Sequence, residues 1–222
     1  HRLRGNLSEA AERFAQARRI WVRAGDLDSA ARLSGNLGKL MHLQGRLAEA
    51  ERHFQDAVDG AQRGGRRTAE ALWVSCLATL LHNQGAFGPA MLRYQEAHAI
   101  AESVKLERLC SLWQSQMGYL LVQQGRLDAA AERLHDAVAI ADRLGLARHR
   151  SIALGYRGYL HLLQERVGEA EQDLHAALRI ATERDDLEGQ GLWSAGLGAI
   201  CLRRGALEAV SYTHLTLPTT YT

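Results

Sequence analysis

The chain has 222 residues, 46% of them hydrophobic, and 27 Lys+Arg against 25 Asp+Glu leave a formal net charge of +2 at pH 7. Arginines alternate with acids along the same segments, as in Glu49 to Arg52 and Asp128 to Arg133, so the clustered positive face of a nucleic-acid binder is missing. No run approaches the roughly 20 apolar residues of a membrane span, and Cys76, Cys110 and Cys201 stand far apart without a CxxC, which excludes a disulfide framework or a metal knuckle and fits a reducing, cytoplasmic setting.

In chain order the sequence is one helical unit written repeatedly. Positions 5, 45, 85, 125, 165 and 205 read Gly, Gly, Gly, Gly, Glu, Gly, a period of forty residues. A second set of marks, Gly25, Gly65, Lys105, Gly145 and Asp185, falls midway, so each unit is a pair of helices joined by short turns. Glycine at these marks suits the left-handed residue that ends a helix. The spacing predicts helices over 7–24, 27–44, 47–63, 68–84, 87–104, 108–124, 127–144, 148–164, 167–184 and 188–204, each touching mainly its neighbours. Pro89 falls in the first turn of its helix, where a missing N–H costs nothing.

Within each unit the packing face is legible. Alanine occupies 10, 50, 90, 130 and 170 and again 17, 57, 97, 137 and 177, and between each two stands a large residue, Phe14, Phe54, Tyr94, Leu134 or Leu174. All three share one stripe, and the alanines let antiparallel helices approach closely. Trp73, Trp113 and Trp193 share another phase and read as core between repeats, and Cys201, in phase with Met41, Leu81 and Leu121, reads as a buried apolar position.

These residues carry a family resemblance. Asn36-Leu37-Gly38, Met41, Gly45, Ala50, Phe54 and Ala57 resemble the tetratricopeptide repeat, as do Leu77, Ala78, Leu81, Gly85, Ala90, Tyr94 and Ala97, and later Met117, Gly118, Leu121, Gly125, Ala130, Leu134 and Ala137. The unit is forty residues, longer than the family's usual one, and the fifth departs from the pattern with Arg157 for the helix leucine and Glu165 for the turn glycine. The resemblance implies an all-α, right-handed superhelical solenoid of antiparallel helix pairs over residues 1–209, about five repeats. Its length and Ala/Arg/Leu-rich style also resemble the helical regions that follow nucleotide-binding or kinase domains in large bacterial signalling and transcriptional regulatory proteins.

From Val210 onward the string Val-Ser-Tyr-Thr-His-Leu-Thr-Leu-Pro-Thr-Thr breaks the period. It resembles the translation of a sequencing-library adapter, so residues 210–222 are expected to be a non-native tail, extended or loosely placed, and the chain to be an internal fragment of a longer reading frame.

No active site emerges. Neither Lys39 nor Lys105 follows a phosphate-binding glycine loop, no serine sits in a nucleophile elbow, and the one Glu132-x-x-His135 motif, with His175 one repeat on, reads as a solvated helix face. No cofactor, metal or catalytic residue is expected. By the resemblance, the first helix of each pair lines a groove that binds a protein or peptide, which assigns Asn36, Lys39, Thr79, Asn83, Gln116, Tyr119, Gln123, Tyr156 and Tyr159 to partner contact. Gly35, Ser75, Ser115 and Gly155 beside them read as room for an inserted peptide. Tyr119 and Tyr159 read equally well as covers of the seams between repeats. The function expected is a protein or peptide interaction module that senses or scaffolds within a larger cytoplasmic protein, and the alternative is a purely structural assembly scaffold with no attached enzyme.

Overall fold

The computed structural model describes the backbone of residues 2–215 and the side chains of residues 7–205. Among these residues the structure is entirely helical: α1 (Arg2–Arg23), α2 (Leu27–Leu43), α3 (Leu47–Arg63), α4 (Arg67–Asn83), α5 (Phe87–Ser103), α6 (Glu107–Gln123), α7 (Leu127–Arg143), α8 (Ala147–Leu163), α9 (Val167–Glu183) and α10 (Leu187–Leu215). The even-numbered helices lead each unit and the odd-numbered ones answer them.

Every internal turn falls at its expected mark. Nine residues spaced by twenty, from Gly25 to Asp185, take positive φ, and three of them, Lys105 at 55°, Glu165 at 62° and Asp185 at 53°, are not glycine. The hydrogen bonding shows why the mark is needed. After α2, the Gly45 N–H donates to the His42 carbonyl at 2.9 Å and the Arg46 N–H to the Met41 carbonyl at 2.9 Å, closing the helix end with a left-handed residue between the two bonds. The same pair recurs after α4, from Gly85 to His82 and from Ala86 to Leu81.

The outer ends differ from expectation. α1 runs through Gly5, and α10 continues through Gly205 to Leu215, so 210–215 are helical where an extended segment was anticipated. Glycine permits a left-handed turn and does not compel one. A helical glycine costs about 1 kcal/mol, and Ala206-Leu-Glu-Ala209 are good helix formers. Residues 216–222 of the anticipated tail lie outside the described residues.

The helices form two compact units, residues 1–120 and 121–222, divided within α6. In the first, each of α1 to α4 packs on the helix that follows it, and α2 also touches α4. Its core joins the buried Phe54, Tyr94 and the alanines around them to Trp73, Trp113 and Met117. In the second, α7 packs on α8, α8 on α9 and α9 on α10, with α8 also touching α10. Ala170, Leu174, Ala177 and Trp193 are its centre. The all-α solenoid of antiparallel helix pairs therefore holds within each unit.

Candidate functional site

The leading helices carry two kinds of side chain, one committed to the seam between repeats and one left at the surface. The three recurring tryptophans are all buried, as their phase predicts. The room expected beside Gly35 and Gly155 is not open: both glycines are buried, and a Cβ on either would overlap the ring of the tryptophan in the next repeat, Trp73 or Trp193. These small residues are sockets for tryptophan and not space for a peptide. Ser115 is likewise buried, donating to the Ser111 carbonyl at 3.0 Å.

In the first unit, the expected contact residues Asn36 and Lys39 stand on α2, Thr79 and Asn83 on α4, and Gln116 and Tyr119 on α6. Lys39 is exposed, its Nζ 5.1 Å above the Trp73 ring, so the cation rides on the indole that plugs Gly35. Thr79 is exposed as a residue, yet its Oγ1 lies 3.0 Å from the Tyr94 hydroxyl on α5 and donates to the Ser75 carbonyl or to that hydroxyl. Burial pushes the Tyr94 phenol up to about 12, so it stays protonated and serves as a fixed hydrogen-bonding group. Asn83 is exposed, with its Nδ2 3.0 Å from His42 Nε2 across the seam between α2 and α4. Asn36 and Gln116 are half-buried. Tyr119, also half-buried, tilts against His82 with ring centroids 5.9 Å apart.

In the second unit Gln123 is exposed, while Tyr156 and Tyr159 converge on one indole. Tyr156 meets Trp193 edge to face at 5.7 Å. Tyr159 lies 6.2 Å from it and donates its hydroxyl to the Leu192 carbonyl at 2.8 Å. Both rings are half-buried and cover the α8–α10 seam while keeping an exposed edge.

Three polar networks that the sequence did not reveal brace these surfaces. Arg18 donates to Ser34 at 2.7 Å and to Asp56 at 3.1 Å, linking α1, α2 and α3. Ser151 donates to the Ala177 carbonyl at 2.8 Å and accepts from the Trp193 indole N–H at 3.1 Å, linking α8, α9 and α10. Arg157 grips Asp173 with two bonds of 2.6 and 2.7 Å. The departure at Arg157 was visible in the sequence. Its signal of a partner was Asp173, the one acid in a phase otherwise filled by Arg13, His53, Arg93 and Arg133. The fifth unit is thus closed by an ion pair where the others use leucine or methionine.

Burial raises the Cys76 thiol to about 11 and raises Cys110 as well, so neither is a thiolate at neutral pH. Cys201 is exposed, contrary to its expected core position, because among the described residues no helix covers that side of α10. Among the described residues no three His, Cys, Asp or Glu converge on a metal position, and no helix is long and apolar enough to cross a membrane. A cleft of about 660 Å³ at the turn end of the first unit is lined by Arg32, Leu72 and Trp73, together with Arg66 and Arg67, which pair with Asp28 and Glu70.

Residues 1–63 match the family model described as tetratricopeptide repeat. No curated protein matches the chain. Among solved structures, BtubC (BKLC) from P. vanneervenii is similar at 18% identity and a TM-score of 0.70, covering 100% of this chain and 97% of that one. Aspartyl phosphate phosphatase F from Bacillus subtilis is similar at 14% identity and TM-score 0.73, over 91% of this chain and 55% of that one. The signal transduction ATPase (STAND) protein with a tetratricopeptide repeat sensor from Pyrococcus horikoshii follows at 16% identity and TM-score 0.56, over 91% of this chain and 38% of that one. The chain therefore spans about half or less of the last two proteins. Residues 1–63 match the tetratricopeptide repeat model, and the later helix pairs continue the same forty-residue unit in a fold similar to that of these solved structures.

Proposed function

We propose that the chain is a protein or peptide interaction module of a larger bacterial signalling or transcriptional regulatory protein, residues 1–209 being the functional solenoid and residues 210–222 a non-native addition. The observation that carries the reading is the division of labour on the leading helices. Tryptophan and glycine seal the seams at Gly35–Trp73 and Gly155–Trp193, while Lys39, Thr79, Asn83 and Gln123 are exposed residues of the leading helices. Lys39, Thr79 and Asn83 have their polar ends already held by Trp73, Tyr94 and His42 while the residues stay exposed. Side chains ordered in advance lose little conformational freedom on binding, which favours contact with an extended chain. Tyr119, Tyr156 and Tyr159 add half-exposed aromatic edges of the kind that anchor interfaces.

The repeat fold suits this role, and the Pyrococcus horikoshii relative is described as using such repeats as a sensor. In the parent envisaged here, capture of a partner on the leading helices biases an attached catalytic or DNA-binding domain. The test is selection of peptides from a random display library on the full chain, repeated on Lys39→Ala/Asn83→Ala. The reading expects a defined peptide family with the wild type and its loss with the double variant. Equal enrichment on both proteins would place recognition elsewhere.

A further inference from the structure

We propose that the cleft at the turn end of the first unit is a binding site for a small organic monocarboxylate with a leucine-sized or aromatic body. Its volume of about 660 Å³ is that of a small-molecule pocket. The cleft opens between the starts of α2 and α4, and Ala61 near the end of α3 and Val104 just past α5 complete its wall. Both leading helices are interior to the chain. α2 packs on α1 and α3, and α4 on α3 and α5, so the cleft is not an end face.

The repeat explains why a hollow stands here. One unit on, Leu106 and Leu109 at the entry to α6 pack into the core, Leu109 being 7% exposed. Their counterparts at the cleft are Arg66 and Ala69, so the apolar volume of two leucines is missing from this seam. Leu72 in the wall is left 40% exposed. A branched or aromatic body seated beside Leu72 and Trp73 takes that surface out of water. Charge names the other half of the ligand. Position 32 is arginine here, whereas 72, 112, 152 and 192 are leucine or isoleucine. Arg66 and Arg67 are matched by Asp28 at 3.1 Å and Glu70 at 2.6 Å. Arg32 is exposed in the wall and stands in no ion pair among the described residues. Asp26, near enough to feel its charge, is committed to capping α2 and accepts from the Ser29 N–H at 2.9 Å. Arg32 is thus the cation left to a ligand, and one carboxylate fits its planar fork.

The site stands apart from the peptide surface proposed above, because Arg32 precedes Lys39 by seven residues, about 10 Å along α2. Isothermal titration of 3-phenylpropionate into the full chain, with uncharged 3-phenylpropionamide as control, tests it. Saturable one-to-one binding of the acid is expected, about tenfold tighter than the amide or more. Arg32→Leu, which installs the side chain of the later repeats, should erase that preference. Ala69→Leu, which refills the seam as Leu109 does one unit on, should remove binding of both compounds, and Ala69→Val is the smaller filler should Ala69→Leu disturb the fold. A display-selected peptide should bind Arg32→Leu as it binds the wild type, so loss of the acid alone leaves the peptide reading intact. No saturable binding of the acid up to millimolar concentration, equal affinity for acid and amide, or acid binding unchanged by Arg32→Leu or by the seam-filling variant would each overturn the proposal. Loss of the peptide in Arg32→Leu would overturn it as well, by making the cleft part of the peptide surface.

Discussion

The Trp73 indole fills the volume in which a side chain on Gly35 would begin, and Trp193 does the same at Gly155, each tryptophan lying thirty-eight residues beyond its glycine. The seam between repeats is therefore a plug and a socket. Gly155→Ala forces the ring aside in a packed core and should cost about 1–3 kcal/mol, read as a lower melting temperature. Gly168→Ala, in the first turn of α9 with nothing within 4 Å, should be neutral or raise stability by about 0.5–1 kcal/mol. A melt that moved equally for both would mean the socket is not tight.

The turns offer a test of opposite sign. Glu165 holds a φ of 62°, a left-handed conformation that costs an ordinary residue about 1 kcal/mol. Glu165→Gly should raise the melting temperature, whereas Gly125→Ala, at a φ of 71°, should lower it by a comparable free energy.

Arg157 and Asp173 replace an apolar contact by a bidentate ion pair with side chains 26% and 11% exposed. Arg157→Ala leaves the carboxylate buried beside His161 and should cost about 2 kcal/mol. Restoring the apolar contact with Arg157→Leu/Asp173→Leu should recover most of that loss. Chemical denaturation of the three variants checks it, and a double variant weaker than Arg157→Ala would contradict the account.

Burial holds the imidazoles of His161 and His53 below their ordinary value of 6.5, because the charged form loses water in the folded chain. The unfolded chain therefore binds more protons in this range, and stability falls as the pH drops below about 6.5. The loss is complete once the pH lies beneath the folded values. His53→Gln/His161→Gln should flatten the stability profile between neutral pH and about 5, measured by denaturant melts at each pH.

Much of this architecture was written in the period. Each internal helix boundary lies within one residue of the spacing's expectation because the left-handed mark is a local requirement, and the alanine and large-residue stripe is a property of single helices. The misreadings arose where a neighbour decides the outcome. Gly35 looked like open space because the ring that fills it stands thirty-eight residues away, and Cys201 looked buried because its phase mates Met41 and Leu121 are, whereas among the described residues nothing covers it. Gly205 looked like a turn, but it lies inside α10, because glycine permits a left-handed turn and does not compel one. Lys39 and Asn83 were found by position alone, while their partners Trp73 and His42 became visible only once α2 and α4 lay side by side.

Tyr159 separates covering from binding. Its ring packs on Trp193 and its hydroxyl donates to the Leu192 carbonyl, so Tyr159→Phe should cost about 1 kcal/mol and Tyr159→Ala more. Tyr159→Phe should leave peptide affinity unchanged if the ring edge, and not the hydroxyl, meets the partner, a point that paired melting and binding measurements resolve.

The most direct test of the interaction module is isothermal titration of a display-selected peptide into the wild-type chain and into two variant sets of matched stability. Lys39→Ala/Asn83→Ala alters exposed ends on the leading helices α2 and α4, and Gln55→Ala/Gln95→Ala alters exposed positions on the answering helices α3 and α5. The account predicts that the first set weakens binding about tenfold or more, a loss of roughly 1.4 kcal/mol, while the second leaves it unchanged. Unchanged affinity in the first set, or equal loss in both, would contradict recognition by the leading helices.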